Sequence, residues 1–480
     1  MSPTPFRRTA LIAGLLLTGC AVGPNYVRPT AAAPPAFKEA EGWVRAEPAD
    51  AAPRGDWWTL FNDQLLNELE GQVVVSNQNL AAAEASYRQA HATVAEQRAA
   101  LFPSVDLTGS ATRSGRSGSS TISSGGSAVA AVSGTHNSYQ LGVGASWEPD
   151  LWGRIRRQVE ASKAQAQASD ADLANARLSA QSELASDYIQ LRADDELKRL
   201  IDVTVDGYQR SLKIATNQYN AGLTAKNDLL SAQTQLANAQ AQAMDVTRQR
   251  QQLEHAIAVL TGQAPANLTI APAAAWTLTA PATPLAVPSV LLQRRPDIAA
   301  AERKVAAANA QIGVQEAAYF PTLSLSGQYG FSSSNLGNLL NSSNSLWSLG
   351  ANVAETLLDF GARNARVRES RAAYDQTVAQ YRQTVLAAFQ DVEDALVAQR
   401  VLAQELPLRQ QASQAADQSE QIALNEYKAG TTSYTTVVVA QASAMSARQS
   451  LITAQSNLIT AATQLITALG GGWSATDMKG

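Results

Sequence analysis

The chain has few of the residues that several common protein classes depend on. It contains one cysteine, Cys20, among 480 residues, and aromatic side chains make up only 6%. A single cysteine cannot form an internal disulfide, and away from histidines it is a weak candidate for a metal ligand. The net charge is −4, with acidic and basic residues interspersed, so there is no basic face for nucleic acid. These absences argue against a disulfide scaffold and against a nucleic-acid partner.

Residues suited to catalysis or metal binding are isolated as well. None of the histidines has a second ligand at the spacing that zinc sites use; they are His91, His136 and His255. The tripeptide at 359–361 spells a kinase signature, but no glycine-rich loop or catalytic-loop motif accompanies it. We therefore predict that the protein is not an enzyme and holds no metal or dissociable cofactor.

Long apolar runs are missing too. A membrane-spanning helix needs about 20 apolar residues, and the N-terminal run Ala10–Leu17 is shorter. Its basic start and the small residues after it are typical of a secretory signal. Cys20 follows Leu-Thr-Gly directly, and this stretch resembles the lipobox of bacterial lipoproteins, in which the cysteine carries a covalent lipid. A chance cysteine inside a cleaved signal is the alternative. We predict a signal peptide over 1–19 and lipidation at Cys20.

The sequence contains an internal duplication. The stretch "LAAAEASYRQAHATVAEQRAALFP" (80–103) aligns without gaps on "IAAAERKVAAANAQIGVQEAAYFP" (298–321). Further on, "YNAGLTAKNDLLSAQ" (219–233) matches "YKAGTTSYTTVVVAQ" (427–441). The offset in residue number between the two copies is smaller for the second match than for the first. The first copy therefore contains an insertion, which we place in the Gly/Ser-rich stretch 113–134. Because duplicated architecture decides the fold, we predict two structural repeats in one chain.

Each repeat is predicted to contain a long helical hairpin. Between Gly153 and Gly222 there is no proline, and the matching span from Gly361 to Gly430 has one helix breaker, Pro407. A continuous helix over the first span would be roughly 100 Å long. Such a helix is longer than a compact domain needs and suits a tube that crosses the periplasm.

The helices that follow the two hairpin tips carry heptad repeats. In the first, small and apolar residues recur every seven positions from Leu229 and from Ala232, and in the second from Val437 and Ala440. Only Arg250 breaks the pattern. Sustained heptads predict coiled-coil packing, and alanine throughout one register lets neighbouring helices approach closely.

After each Phe-Pro the period of the apolar residues changes to two, which predicts β-strands. In the first copy Val105 and Leu107 alternate with polar residues, and in the second Leu323 and Leu325 do so. A Ser/Gly/Asn-rich loop and a return strand follow each, at 138–147 and 345–353. These four strands of about ten residues match transmembrane β-barrel strands.

The strands also suggest how the chain assembles. Aromatic residues that we assign to the helix-proximal strand ends predict an interfacial belt; they are Trp147, Trp152, Trp347 and Phe360. Four strands cannot close a barrel, because bacterial barrels begin at about eight, and open edges are not tolerated in lipid. We therefore predict a β-barrel shared between several copies of the chain.

The combination of motifs resembles one known family. The signal and lipobox, "VGPNYVRP" (22–29), the two Phe-Pro hairpins, "RRPDI" (294–298) and the two Tyr-x-Ala-Gly tips occur in the order of TolC-type outer membrane factors. The stretch at 427–441 is similar to the NodT-type lipoprotein branch. The resemblance covers essentially the whole mature chain.

The resemblance implies a fold, a location and partners. Three copies would build a twelve-stranded barrel in the outer membrane of a Gram-negative bacterium, continuous with a coiled-coil α-helical barrel in the periplasm. Such a homotrimer would be the passive exit duct of a tripartite efflux pump. Its partners would be a periplasmic adaptor, an inner-membrane transporter of the resistance-nodulation-division type, and outer membrane lipid. A structural or adhesive coiled-coil surface lipoprotein is the alternative function.

The resemblance also assigns a gate to the two hairpin tips. Asp228 occupies an acidic position of the first repeat, but the arginine and the acids of the second-repeat pattern are missing, where this chain has Thr432, Thr436 and Val439. We therefore expect closure by packing and hydroxyl hydrogen bonds, with Leu223, Tyr434 and Val439 as candidates. Alternatively, Asp228 is a solvated residue near a helix N-terminus, where a carboxylate is favoured anyway.

These expectations divide the chain into consecutive segments: signal 1–19, lipidated segment 20–61, first repeat 62–270, Pro-rich linker 271–293, second repeat 294–470 and tail 471–480. The hairpins are expected at about 103–149 and 321–357, and the tips near residues 222 and 430.

Overall fold

The computed structural model describes residues 21–31, 37–39, 56–115, 135–275, 278–281 and 295–473. The predicted signal peptide, Cys20 and residues 116–134 of the Gly/Ser-rich loop lie outside these ranges. The described helices are α1 (Gln64–Ser76), α2 (Gln78–Ala99), α3 (Arg154–Asn220), α4 (Lys226–Leu260), α5 (Pro296–Ala317), α6 (Ala362–Lys428) and α7 (Tyr434–Ala468). The strands are β1 (Ser104–Gly115), β2 (Thr135–Trp147), β3 (Thr322–Ser333) and β4 (Ser345–Ala354), and short 3₁₀ turns lie at Trp57–Phe61, Pro265–Asn267, Leu336–Asn338 and Ser342–Asn344.

The chain forms two compact units. The first comprises the described residues of Met1–Pro29, Gln89–Ala166 and Arg303–Ala379, and it contains the four strands. The second comprises the described residues of Thr30–Arg88, Gln167–Glu302 and Gln380–Gly480 and is helical apart from short turns.

The four predicted strands are confirmed, and they form one antiparallel sheet in the order β1-β2-β3-β4. The register confirms the predicted alternation, because Leu107 faces Val143, Val143 faces Tyr329, and Leu325 faces Ala351. Side chains two apart on a strand share a face, so nearly all the large apolar residues of the four strands lie on one side; Leu346, which pairs with Gly330, lies on the other. None of the described residues covers that side: the exposed fraction is 74% for Leu107 and 80% for Leu349.

One placement from the sequence is wrong. We assigned Trp347 to the helix-proximal end of the strands, but it faces Tyr329 near the loop end of the β3–β4 hairpin. The reason is the direction of the return strand. β4 starts at the loop with Ser345 and runs back toward α6, so its third residue lies far from the helices.

The long helical hairpins are confirmed. Helices α3 and α6 each have 67 residues, and α4 and α7 each have 35. Pro407 does not end α6, which continues through it. A proline inside a helix leaves the carbonyl four residues earlier without its N–H partner. Both Pro407 and Ala403 are exposed here, so water can bond that carbonyl.

The heptad positions of α4 and α7 are buried or half-buried, as the pattern predicts. In α4, Ala232, Ala239 and Val246 are buried at one register, and Ala243 and Ile257 at the other. No helix among the described residues combines enough length and apolarity to cross a membrane.

The second unit has a hydrophobic core beside α1. Trp57 and Phe61 of the first 3₁₀ turn pack edge-to-face, with ring centroids 6.4 Å apart. They join fully buried residues from α1, α3 and α4, among them Leu66, Tyr188 and Ile257. Glu70 on α1 is also completely buried, and neither of its carboxylate oxygens has a hydrogen-bond partner in the described structure.

Candidate functional site

The two hairpin tips are tight turns of the same construction. After α3, Gly222 has a φ of +73°, and Leu223 donates its N–H to the Gln218 carbonyl at 2.9 Å. After α6, Gly430 has a φ of +75°, and Thr431 donates to Glu426 at 3.0 Å. A positive φ beyond a helix end is a position that favours glycine, and these bonds satisfy free carbonyls of the last turn. The tip positions predicted near 222 and 430 are confirmed.

A tyrosine pair at the second tip packs against the first hairpin inside the second unit. Tyr427 and Tyr434 have ring centroids 5.1 Å apart, and both are nearly fully buried. They pack with Val437 against Ala215 and Ala232 of the first hairpin. Burial raises the pKa of Tyr434 to about 12, and the charges of Tyr427, Tyr208 and Asp228 add to this effect. The two hairpins are thus held together by an apolar contact at their ends.

The expected gate residues fall into two groups. Leu223 and Val439 are 76% and 64% exposed, so their side chains are available to another molecule. Tyr434 is 1% exposed and therefore packs within its own chain; its expected part in closing the aperture stays a prediction. Its ring fills the gap between the two hairpins of its own chain, because an aromatic side chain beside Tyr427 gains more from burial than from solvent.

The hydroxyl groups at the second tip bond to one another. Thr432 Oγ1 donates to Thr436 Oγ1 at 3.1 Å, and Ser433 Oγ lies 3.4 Å from the same atom. Asp228 lies in the first turn of α4, and its backbone N–H donates to the Ala225 carbonyl. In the part of the chain that the structure describes, no basic side chain lies within 4.0 Å of the Asp228 carboxylate.

Sequence reasoning missed the ion pairs that tie the second hairpin together. Arg448 on α7 binds Asp417 and Glu420 on α6 at 2.7 and 2.8 Å. No motif marks these residues. The spacing of three between the two acids, which puts them on one helix face, is the only signal available beforehand.

Aromatic residues cluster where the strands meet the helices of the first unit. Trp147 Nε1 donates to the Leu101 carbonyl at 3.0 Å, and Trp152 Nε1 donates to the Pro321 carbonyl at 2.7 Å. The Trp152 ring stacks on Phe320 with centroids 4.8 Å apart. Phe360 is 93% exposed and has a φ of +50°. Phe320 is a further member of this cluster that no sequence motif pointed to, although Phe-Pro precedes both hairpins.

Within the described ranges, no group of three or more His, Cys, Asp or Glu residues is placed to hold a metal ion.

Comparison with known proteins shows which family has this architecture. The family model described as outer membrane efflux protein matches residues 69–263 and 287–471. The chain is 30% identical over 464 residues to the probable efflux pump outer membrane protein TtgC of Pseudomonas putida, covering 96% of this chain and 94% of that protein. It is 28% identical to the pyoverdine export outer membrane protein OpmQ of Pseudomonas aeruginosa, covering 98% of each.

A solved structure is similar over nearly the whole chain. The outer-membrane channel OprN shares 31% identity with a TM-score of 0.85, and the match covers 95% of this chain and all of that one. These relatives are transport proteins rather than enzymes. The matches extend from the strands through both helical hairpins, and the chain therefore belongs to the outer membrane efflux protein family.

Proposed function

We propose that three copies of this chain form the outer membrane exit duct of a tripartite efflux pump, gated at the helical tips. The observation that carries the proposal is the sheet: among the described residues it has four strands, unpaired outer edges at β1 and β4, and one continuous exposed apolar face. An exposed apolar face that extends across four strands needs lipid or protein to cover it. Unpaired strand edges are not tolerated in lipid, so copies of the chain would have to pair edge to edge.

The strand number sets the expected stoichiometry. Bacterial barrels need at least about eight strands, and three copies at four strands each give twelve. The equal lengths of α3 and α6, and of α4 and α7, support the view that each copy contributes two structural repeats. Six helical hairpins of this kind would continue the barrel as a coiled-coil tube in the periplasm.

A passive duct has no energy source of its own, so it would need partner proteins that deliver the substrate to it. TtgC is described as part of an efflux pump, and by analogy this chain would receive small molecules from a periplasmic adaptor and an inner-membrane transporter of the resistance-nodulation-division type. A lipid on Cys20 would anchor the N-terminal segment in the outer membrane. Lipidated proteins usually need a second membrane signal, which the strands would supply.

The gate would close by apolar and hydroxyl contacts. Leu223 and Val439 are exposed at the tips, and the Thr432–Thr436 hydrogen bond holds the second turn. No ion pair of Asp228 is present within the described chain to hold the two tips together. In a symmetric trimer Asp228 would give one acidic ring.

Conductance in a planar lipid bilayer tests the duct. Purified protein should give discrete current steps of uniform size, and a variant with Leu223 and Val439 both changed to serine should have a higher open probability. The alternative, a structural or adhesive coiled-coil lipoprotein, predicts a folded oligomer that conducts no ions. The matched control is Leu408→Ser, which changes an equally exposed residue in the middle of α6 and should leave conductance unchanged.

A further inference from the structure

The residues that follow Cys20 pack in a groove formed by other residues of the first unit. The N–H of Val22 donates to the Trp152 carbonyl at 3.0 Å. Asn309 Nδ2 on α5 donates to the Pro24 carbonyl at 3.0 Å, and the Arg303 guanidinium stands over the Tyr26 ring, 5.7 Å from its centroid. Three successive parts of this short segment are thus held by two separate elements.

Arg157 on α3 makes the central contact. Its Nε donates to the Val22 carbonyl at 3.1 Å, and its Nη2 donates to the Gly23 carbonyl at 3.1 Å and to Asn25 Oδ1 at 3.0 Å. The remaining nitrogen binds Glu160 at 2.8 Å. Arg157 is only 4% exposed. A buried guanidinium that loses its acceptors is costly, so Arg157 favours the position in which the segment is bound.

Three glycines let the segment approach this closely. A Cβ at Gly313 would lie 2.8 Å from the Val22 carbonyl oxygen, and a Cβ at Gly153 would lie 2.7 Å from the Ala21 Cα. On the segment itself, a Cβ at Gly23 would lie 2.4 Å from the Gly313 Cα, and Gly23 has a φ of +95°. Backbone therefore meets backbone at all three positions, which only glycine permits.

We propose that residues 21–26 are a docking segment, and that Arg157, Asn309, Gly153 and Gly313 form its receptor within the same chain. We call the segment and its receptor together the dock. The dock holds Ala21 beside the Trp152–Gly153 turn, at the helix-proximal end of the sheet. It would thereby fix where the residue before it, Cys20, meets the membrane interface. Only this last clause rests on the proposed lipidation; the dock itself requires no lipid.

The dock can be tested by cleavage at a single bond. Chymotrypsin cuts after tyrosine, and Tyr26 is the last residue of the docking segment. We would treat the folded protein with chymotrypsin and measure, by mass spectrometry of labelled N-termini, how fast a chain beginning at Val27 appears. Cleavage of this kind reports how often the segment opens.

Variants in three separate elements should each speed cleavage by about tenfold or more, because each removes or displaces hydrogen bonds that hold the segment in place. Arg157→Lys keeps the charge but loses the planar fork. Gly313→Ala would place a methyl group 2.8 Å from the Val22 carbonyl oxygen and 3.0 Å from Arg157 Cγ, so it displaces the segment without removing the guanidinium. Asn25→Ala changes only the segment, so the rest of the first unit keeps its sequence. Circular dichroism would first establish that each variant has the native helix content.

Two matched controls should leave the rate unchanged. Arg154→Lys changes an arginine one turn earlier that is half-exposed and pairs with Glu148 at 2.8 Å. Gly207→Ala adds a methyl group where nothing lies within 4 Å. The proposal is overturned when the three dock variants are cut at the wild-type rate, or when the wild type is cut as fast as a free peptide of the same sequence.

A chain exported with a leader that is cleaved directly before Ala21 separates the dock from the lipid. We expect it to resist chymotrypsin at Tyr26 as the lipidated protein does. Cleavage as fast as in Arg157→Lys would mean that the lipid, not the groove, holds the segment. Neither result bears on conductance, so the dock and the proposed duct can fail independently.

Discussion

Arg250 on α4 donates from Nε to the Asp195 carboxylate on α3 at 2.5 Å. Arg250 is the residue that breaks the heptad pattern, and its partner is only 1% exposed. The same arginine binds Glu254 at 2.7 Å, and Asp195 also accepts from Arg192 at 2.9 Å. The interruption in the apolar pattern is therefore one half of a buried ion-pair network between two helices.

Arg250→Leu should restore the heptad and yet destabilise the protein. The substitution leaves the Asp195 carboxylate buried with one cationic partner fewer, at a cost of about 3–5 kcal/mol. The double variant with Asp195→Asn should recover part of that loss, because the unpaired charge is removed. Chemical unfolding followed by circular dichroism measures both. An Arg250→Leu protein as stable as the wild type would show that the network contributes nothing.

Glu70 should make stability depend on pH. Burial without a charged or hydrogen-bonding partner raises its pKa to about 9, so the folded protein keeps this carboxyl protonated up to that pH. The unfolded chain releases the proton above about pH 4.5. The free energy of unfolding therefore falls as the pH rises from 4.5 toward 9. Glu70→Gln should flatten this slope and raise the free energy of unfolding by about 3 kcal/mol at pH 7.

Thermal unfolding at pH 5 and pH 8 measures the Glu70 effect. Glu68→Gln is the matched control, because Glu68 lies two residues before Glu70 on the same helix but is exposed. The control should keep the wild-type slope. An unchanged slope in Glu70→Gln would show that the carboxyl is ionised in the folded protein.

Lysine on the apolar face of the sheet should impair assembly. Val143 and Leu325 lie on that face, and each lysine there should cost about 2–4 kcal/mol near the bilayer midplane. Ser324 lies on the opposite face, where its hydroxyl reaches the Asn352 carbonyl at 3.4 Å, and lysine should be tolerated. The measurement is the yield, in outer membranes, of the proposed trimer, recognised by its heat-modifiable mobility. Equal yields from Val143→Lys, Leu325→Lys and Ser324→Lys would mean that the apolar face does not contact lipid.

The tips should respond to added negative charge. The unmodified protein should be only weakly blocked by a trivalent cation from the periplasmic side, because in the proposed trimer Asp228 would supply at most one acidic ring. Thr436→Asp would keep an acceptor for the Thr432 hydroxyl and, in the proposed trimer, add a ring of like charges, which repel. Block should strengthen by about tenfold or more through field focusing, and closure should loosen. Tight block of the unmodified channel that persists in Asp228→Asn would point to a different acidic ring.

Cys20→Ala should abolish lipidation while the strands still enter the membrane. Metabolic labelling with a fatty acid checks the first part, and outer membrane fractionation of a chain given a cleavable leader checks the second. A label retained by the alanine variant would show that another residue is the acceptor. Loss of the protein from the outer membrane would show that the strands alone do not supply enough membrane affinity.

The sequence by itself determined the elements. The change of period after each Phe-Pro located all four strands and the face that each residue occupies, because side chains alternate strictly along a strand. The glycines at 222 and 430 located both tips, because few other residues adopt a positive φ beyond a helix end. The heptads marked the buried positions of α4 and α7. All of these are local rules, in which a residue's neighbours along the chain fix its position.

Only the tertiary structure decided which residues meet. The direction of β4 places Trp347 at the loop end, away from its expected position. Packing between the two hairpins buries Tyr434. Arg250 appeared to be a defect until Asp195, 55 positions earlier, came into contact with it. Arg157 carried no motif at all, and its role depends on carbonyl oxygens 132 to 135 positions away. Such contacts depend on how distant segments pack together, and no pattern within a single segment records that.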